Sequence, residues 1–175
     1  MEKVGKISGF VHSAGIEMIL PLKGMQPSYY EEMFATNTIS GFELARIISN
    51  KKDINMEGVS FVFISSIMGI LGQPGRIGYC SSKGALVSGV KAVSLELAKK
   101  NIRVNCILPG VVDTEMSNEM FQRLSEESKK EIIDMHPLGL GMPEDIANAS
   151  AFLLSGAAKW MTGSNLIVDG GYSAK

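Results

Sequence analysis

Ile64-Ser65-Ser66-Ile67-Met68-Gly69, then a short loop, then Gly78-Tyr79-Cys80-Ser81-Ser82-Lys83: this stretch sets the reading of the 175-residue chain. The run before it, Val59-Ser60-Phe61-Val62-Phe63-Ile64, is β-branched and aromatic without polar alternation. Such a run predicts a central strand of a parallel sheet, covered on both faces. The strand ends in serines, at the carboxyl end where open α/β sheets place their ligands. Gly72, Pro74 and Gly75 keep the loop from being helical throughout. In the helix that follows, Tyr79 and Lys83 share one face, one turn apart. A phenol has an ordinary pKa of about 10, too high for ready proton exchange at neutral pH, and a neighbouring ammonium favours the phenolate. The pair therefore suits general acid–base work on an alcohol or ketone oxygen, which a strand-end serine could hold in place. Surface placement of a chance Tyr-x-x-x-Lys is the competing reading of the pair alone.

Outward from this corner, residues 7–11 (Ile-Ser-Gly-Phe-Val) predict a buried strand that closes on His12-Ser13-Ala14-Gly15, a loop of small residues. A helix is expected from about Ser28 to Asn50, with Ser28 as N-cap and Glu31 completing a capping box. Its stripe of Phe34, Ile39, Phe42, Ala45 and Ile48 should face a core, and Asn37 inside it reads as a solvated amide. Lys51 to Gly58 reads as a charged turn. The helix from Tyr79 to Lys99 carries the stripe Leu86, Val90, Val93 and Leu97, and lysines at its end complement the helix dipole. Arg103–Leu108 is a further strand, stopped by Pro109-Gly110. From Val111 to Gly141 the pattern is looser, with a short helix opening at Ser125. Pro143 starts a helix that Gly156 ends. Leu166-Ile167-Val168 is the last strand. Strand–helix alternation predicts an α/β fold, a truncated doubly wound (Rossmann-like) parallel sheet of about four strands with flanking helices, forming one domain over residues 1–175. Both edges of so small a sheet need cover.

Composition narrows the partners. A formal net charge of −1, with no basic block, argues against nucleic acid and anionic membrane. No apolar run reaches the length of a membrane span, and the first residues lack a signal peptide's apolar region. Cys80 and Cys106 stand alone, and with only His12 and His136 besides, no metal site is expected. A reducing cytoplasm is the default. Neither histidine lies in a motif that would make it the base of a nucleophilic triad.

Taken together, these motifs resemble the catalytic portion of the short-chain dehydrogenase/reductase family, with 3-oxoacyl-carrier-protein reductases as the nearest subgroup. Ser66 stands thirteen residues before Tyr79, the family's spacing, and is preferred over Ser65. The resemblance implies an NAD(P)-dependent enzyme that interconverts a ketone and a secondary alcohol by hydride transfer. Tyr79 would be the proton donor and acceptor, Lys83 would lower its pKa and bind the nicotinamide ribose, and Ser66 would orient the substrate oxygen. Asn37, in Thr36-Asn37-Thr38, matches the asparagine that holds a proton-relay water. Ala14 and Gly15 match the end of the family's Asn-Asn-Ala-Gly loop, which begins His12-Ser13 here. In Pro109-Gly110-Val111-Val112-Asp113-Thr114, the resemblance assigns cofactor contacts to Pro109, Gly110, the Val112 backbone and Thr114. Residues 142–147 and 168–172 match the family's last helix and strand.

The cofactor would be NADP or NAD, yet no Gly-rich pyrophosphate turn precedes residue 7, so the cofactor-binding half expected of a full member is missing. Three readings follow from that: an oxidoreductase with its catalytic residues intact, acting on a small carbonyl or alcohol; a cofactor-free interaction module of the same fold; or a sequence that begins at an internal methionine of a longer chain. The first two predict a homo-oligomer, through the helices at 28–50 and 79–99 or through the apolar edge strand at 7–11.

Overall fold

The computed structural model describes residues 6–50, 54 and 58–174. Four parallel strands form one sheet: β1 (Gly9–His12), β2 (Val59–Ile64), β3 (Ile102–Pro109) and β4 (Asn165–Val168), in spatial order β1-β2-β3-β4. Their register is continuous, with Phe10 beside Phe61, Phe61 beside Val104, and Leu108 beside Ile167. The expected α/β architecture is the one observed. The predicted charged turn at Lys51–Gly58 lies largely outside the described residues, as does most of the segment before residue 7.

Alternation along β2 sorts the core into two layers. Val59, Phe61 and Phe63 point to the face covered by α2 (Ser40–Ser49) and α3 (Ile77–Ala98), meeting Ala45, Ile48, Leu86, Val90 and Leu97. Val62 points to the opposite face and meets Ile107 of β3 and Leu153 of α6 (Pro143–Leu154). On that face the hydroxyl of Ser60 donates to the Leu153 carbonyl at 2.8 Å, satisfying a polar group that burial would otherwise penalise. Strands β2 and β3 are thus covered on both sides, as their unbroken apolar runs require.

The long helix predicted from Ser28 differs in three ways. It starts at Pro27, with Gln26 in the cap position and no side-chain cap, so Ser28 lies inside the first turn rather than at the N-cap. Proline at the first position needs no N–H partner and sets φ for the helix, which displaces the expected box. The helix is also interrupted: α1 (Pro27–Phe34) and α2 are joined by one wide turn, Ala35–Ile39, in which the Ser40 N–H reaches back to the Ala35 carbonyl. The extra residue advances the phase of everything beyond it. Ile39, assigned to the apolar stripe, is consequently 59% exposed, whereas Asn37, expected in solvent, is fully buried.

Between β3 and α6 lie α4 (Glu115–Gln122) and α5 (Glu126–Asp134). Ser125 caps α5 as expected, accepting from the Ser128 N–H at 3.2 Å. Helix α4 is an addition to the sequence reading. Thr114 and Ser117 close a reciprocal cap at its start, and serine at that third position is a weaker sequence signal than Glu or Gln. Helix α6 ends at Leu154, two residues before Gly156.

Candidate active site

Strand β2 ends at Ile64, and the two serines that follow part company. Ser65 also borders the cavity, but its hydroxyl is taken, donating to the Lys83 carbonyl at 2.8 Å and tying the strand end to α3. Ser66 caps the short turn Ile67–Gly69, its Oγ accepting from the Met68 N–H at 3.1 Å, and it lines the cavity above the sheet. Gly69 allows this turn to lie against α3, because a Cβ there would come within 2.9 Å of the Lys83 carbonyl oxygen. The Ser66 hydroxyl also lies near enough to the phenol of Tyr79 to act on its pKa.

Tyr79 stands in the first turn of α3, and Lys83 follows one turn later. The Lys83 side chain is buried, with Nζ donating to the Ile64 carbonyl at 2.9 Å and lying 5.7 Å from the centre of the Tyr79 ring. Burial acts on both groups. It pushes the Lys83 ammonium down to about 8 and the Tyr79 phenol up to about 12. Glu17 adds to the rise at Tyr79, while the nearby Ser66 hydroxyl and Arg76 oppose it. A lowered phenol, the role assigned to Lys83 by resemblance, is therefore not what this environment produces. Desolvation of the phenolate outweighs the nearby cations, and Tyr79 rests protonated.

Asn37 lies behind this wall rather than on it. Its Oδ1 accepts from the Ile16 N–H at 2.8 Å, and its Nδ2 donates to the Ile16 carbonyl at 3.0 Å and to Ser82 Oγ at 2.9 Å. One side chain thereby fastens the loop after β1 to α3. Gly15 is held where a Cβ would be 3.2 Å from Lys83 Nζ, so the loop lies close over the lysine. Ala14 is exposed and is not part of the cavity wall. His12 replaces an amide-type contact with a ring: Ser40 Oγ donates to the Thr36 carbonyl at 2.6 Å and so must accept from His12 Nε2–H at 2.9 Å. That leaves Nδ1 as a bare buried acceptor, and burial lowers the ring's pKa.

The loop after β3 forms the far wall. Gly141 bridges to the backbone of Val111 and Asp113, a pattern that uses neither the N–H nor the carbonyl of Val112. Val112 lines the cavity with Pro109, Gly110 and Thr114. His136 braces this loop from below, its Nε2 accepting from the Val111 N–H at 3.1 Å while Nδ1 donates to the Ile132 carbonyl at 2.7 Å. Gly110 is packed so closely that a Cβ would stand 2.9 Å from Asp169 Cα. Thr114 serves mainly as the cap of α4.

The cavity enclosed by these elements is about 860 Å³ and mostly apolar, with Met68, Met116, Met120, Ile132 and Met135 over the polar floor. It brings together Gly15, Ser66, Tyr79, Lys83, Pro109, Gly110, Val112 and Thr114 of the residues predicted from sequence. Sequence reasoning missed Glu17 and Arg76, which also line it. Each is 11% exposed, and they approach at 3.0 Å. Burial raises the Glu17 carboxyl, and Arg76 and Lys83 partly offset that rise. Fifty-nine residues separate the two in sequence, and no local pattern links them.

An open parallel sheet with a serine, a tyrosine and a lysine converging at its carboxyl edge has its candidate site where doubly wound, dinucleotide-binding folds place their ligands. Comparison with known proteins agrees. Residues 1–173 match the family described as Enoyl-(Acyl carrier protein) reductase. The chain is 36% identical over 172 residues to 3-oxoacyl-[acyl-carrier-protein] reductase FabG of Rickettsia felis, covering 98% of this chain and 69% of that protein. The corresponding FabG of Chlamydia trachomatis is 37% identical over 166 residues, covering 94% and 65%. Among solved structures, a 4-hydroxyisoleucine dehydrogenase mutant complexed with NADH and succinate superimposes with a TM-score of 0.90 at 31% identity, covering 99% of this chain and 71% of that one. The chain thus spans about two thirds of the length of its curated relatives. It belongs to the short-chain dehydrogenase/reductase family of oxidoreductases.

Proposed function

We propose that this protein interconverts a small ketone and its secondary alcohol with NAD or NADP, using Tyr79 as the acid–base group. One observation carries the reading: Ser66 and Tyr79 line the same cavity floor, while Lys83 is held beside the Tyr79 ring. The nicotinamide cofactor supplies or accepts the hydride when bound. The residues suited to its nicotinamide and ribose are Gly15, Tyr79, Lys83, Pro109, Gly110, Val112 and Thr114, with Ala14 completing the loop at the exposed side. The fit is supported by Gly15, where a Cβ would crowd Lys83 Nζ, and by the unused backbone of Val112.

Ser66 and Tyr79 together would grip the substrate oxygen. In reduction, the phenol gives its proton to that oxygen as the alcohol forms, and in oxidation it takes the proton back. A phenol raised to about 12 is the form ready to donate, which suits reduction. Lys83, near 8, can pass a proton to the phenolate afterwards at neutral pH. Asn37 would act at one remove: the wide turn that buries it holds the Ile16 loop and Ser82 in register with α3, and it suits the proton-relay role its motif implies. The apolar methionine-rich roof suits an aliphatic substrate.

Calorimetric titration with NADH and NADPH is expected to give micromolar binding of at least one. Millimolar or absent binding would overturn the reading for this polypeptide. Exposed Ile39 just before α2, exposed Leu44 and Ile47 on α2, and exposed Leu95 on α3 support a homo-oligomer formed through these helices. Light scattering should then return a mass of at least two chains, and a monodisperse monomer would exclude it. Unpaired Cys80 and Cys106 suit a reducing, cytoplasmic setting. Among the described residues, no helix is long and apolar enough to cross a membrane.

A further inference from the structure

The Glu17–Arg76 pair has no part in the chemistry above, yet it stands in the same cavity, with Arg76 one helical turn before Tyr79. Its two members are not equivalent. Arg76 is occupied on both sides: Nη1 faces Glu17 at 3.0 Å and Nη2 reaches Met120 Sδ of α4 at 2.9 Å. Glu17 is occupied on one side only. Its Oε1 is sealed off against Arg76 Nη1, whereas its Oε2 is not sealed off and accepts no hydrogen bond from the described residues. A carboxylate oxygen left open in this way can accept from a donor carried by a bound molecule.

We infer that Glu17 is a specificity-determining residue, which accepts a hydrogen bond from a hydroxyl or ammonium group carried by the substrate within a few bonds of its carbonyl. The inference rests on reading Tyr79 as the group that meets the reacting oxygen, since that fixes which end of the substrate lies by Glu17. A substrate carboxylate fits this end poorly. It would have to displace Glu17 from Arg76 and then sit against a like charge. The class selected is therefore a hydroxyketone or aminoketone, with the corresponding diol or amino alcohol as product.

The test is binding, measured by calorimetry without cofactor, of four probes on a common six-carbon chain (~6 carbons, long enough to engage the apolar roof): a secondary alcohol, the matching vicinal diol, the matching vicinal amino alcohol and the matching hydroxy acid. The diol or the amino alcohol is expected to bind about tenfold or more tightly than the plain alcohol. The hydroxy acid should bind no better than the plain alcohol. In the double variant Glu17→Leu/Arg76→Leu, where apolar side chains replace a buried ion pair and the fold is retained, the preference should vanish. Equal binding of all four to the unsubstituted protein, tightest binding of the hydroxy acid, failure of both donor probes to bind, or a preference that survives the double variant would each overturn the inference. These outcomes need no hydride transfer. A protein that shows the preference but binds neither NADH nor NADPH would overturn the proposed function and leave Glu17's selectivity standing.

Discussion

Replacing Tyr79 by Phe should lower kcat/KM for carbonyl reduction by about a hundred- to ten-thousand-fold, the range general acid–base catalysis commonly contributes. The ring remains, so its packing against the core under α3 is preserved. What is lost is the phenolic proton near Ser66 at the cavity floor. Fold stability should move little. A phenol hydroxyl that makes no hydrogen bond among the described residues contributes little, since even a typical hydrogen bond is worth about 1 kcal/mol net against water. The measurement is NAD(P)H consumption at saturating cofactor, paired with a urea melt of both proteins. Retention of activity within about threefold in Tyr79→Phe would be incompatible with a phenolic proton donor, since even the low end of the expected range is about a hundredfold.

Lys83→Met carries the second large effect, and it acts in opposite directions on function and stability. Activity should fall by at least about a hundredfold, because the variant lacks the group that returns a proton to Tyr79. Stability at neutral pH should rise. The ammonium is buried, its pKa falls from 10.5 to about 8, and its one hydrogen bond, to the Ile64 carbonyl, does not offset desolvation. A base whose folded pKa lies below its unfolded value binds fewer protons when folded across the interval between them. Below pH ~8 both states are charged and the penalty is fully present. Between about 8 and 10.5 the folded protein sheds the proton first, and the wild type gains stability as pH rises. With the Ile64 hydrogen bond subtracted, the net gain for Lys83→Met near neutral pH is about 1–2 kcal/mol, or a few degrees in Tm for a chain of this length. Urea melts at about pH 7 and about pH 10 should show the gap between the proteins narrowing at the higher value. A variant less stable than wild type at neutral pH would mean that the Ile64 contact outweighs burial.

The two expectations share a cause. The site holds polar groups in a place that solvates them poorly, and the Tyr79–Lys83 pair is more a burden on the fold than a support. Its contacts with backbone, Lys83 to Ile64 and Ser65 to the Lys83 carbonyl, keep that burden in one geometry. Replacing such groups at a functional site commonly exchanges activity for stability.

Much of this was legible in the residues. Val59–Ile64 lacks polar alternation, and a strand buried on both faces is the structure that results. Pro143 at the start of α6 and Ser125 before α5 mark their helices because caps are local chemistry, settled within four residues of chain. The spacing of Ser66, Tyr79 and Lys83 is legible for the same reason: strand, turn and helix are consecutive, and their geometry follows from periodicity.

Where long-range contacts decide, the residues alone mislead. Ile39 and Asn37 exchange environments because one wide turn shifts the helical phase, and that turn is maintained by Asn37's bonds to Ile16 and Ser82, 21 and 45 residues away. The fall of Lys83 and the rise of Tyr79 come from desolvation, which depends on what covers them rather than on the Tyr-x-x-x-Lys motif itself. Glu17 meets Arg76 only because the β1 loop and the start of α3 share the rim of one cavity. Sequence by itself determined the parallel α/β architecture and the placing of Ser66, Tyr79 and Lys83 as candidates at its carboxyl edge, since periodicity, caps and motif spacing are short-range properties of a chain. Only the tertiary structure decided which of those groups are charged, which oxygen lacks a partner and which loop is pinned, because burial and pairing are set by residues that meet only after folding.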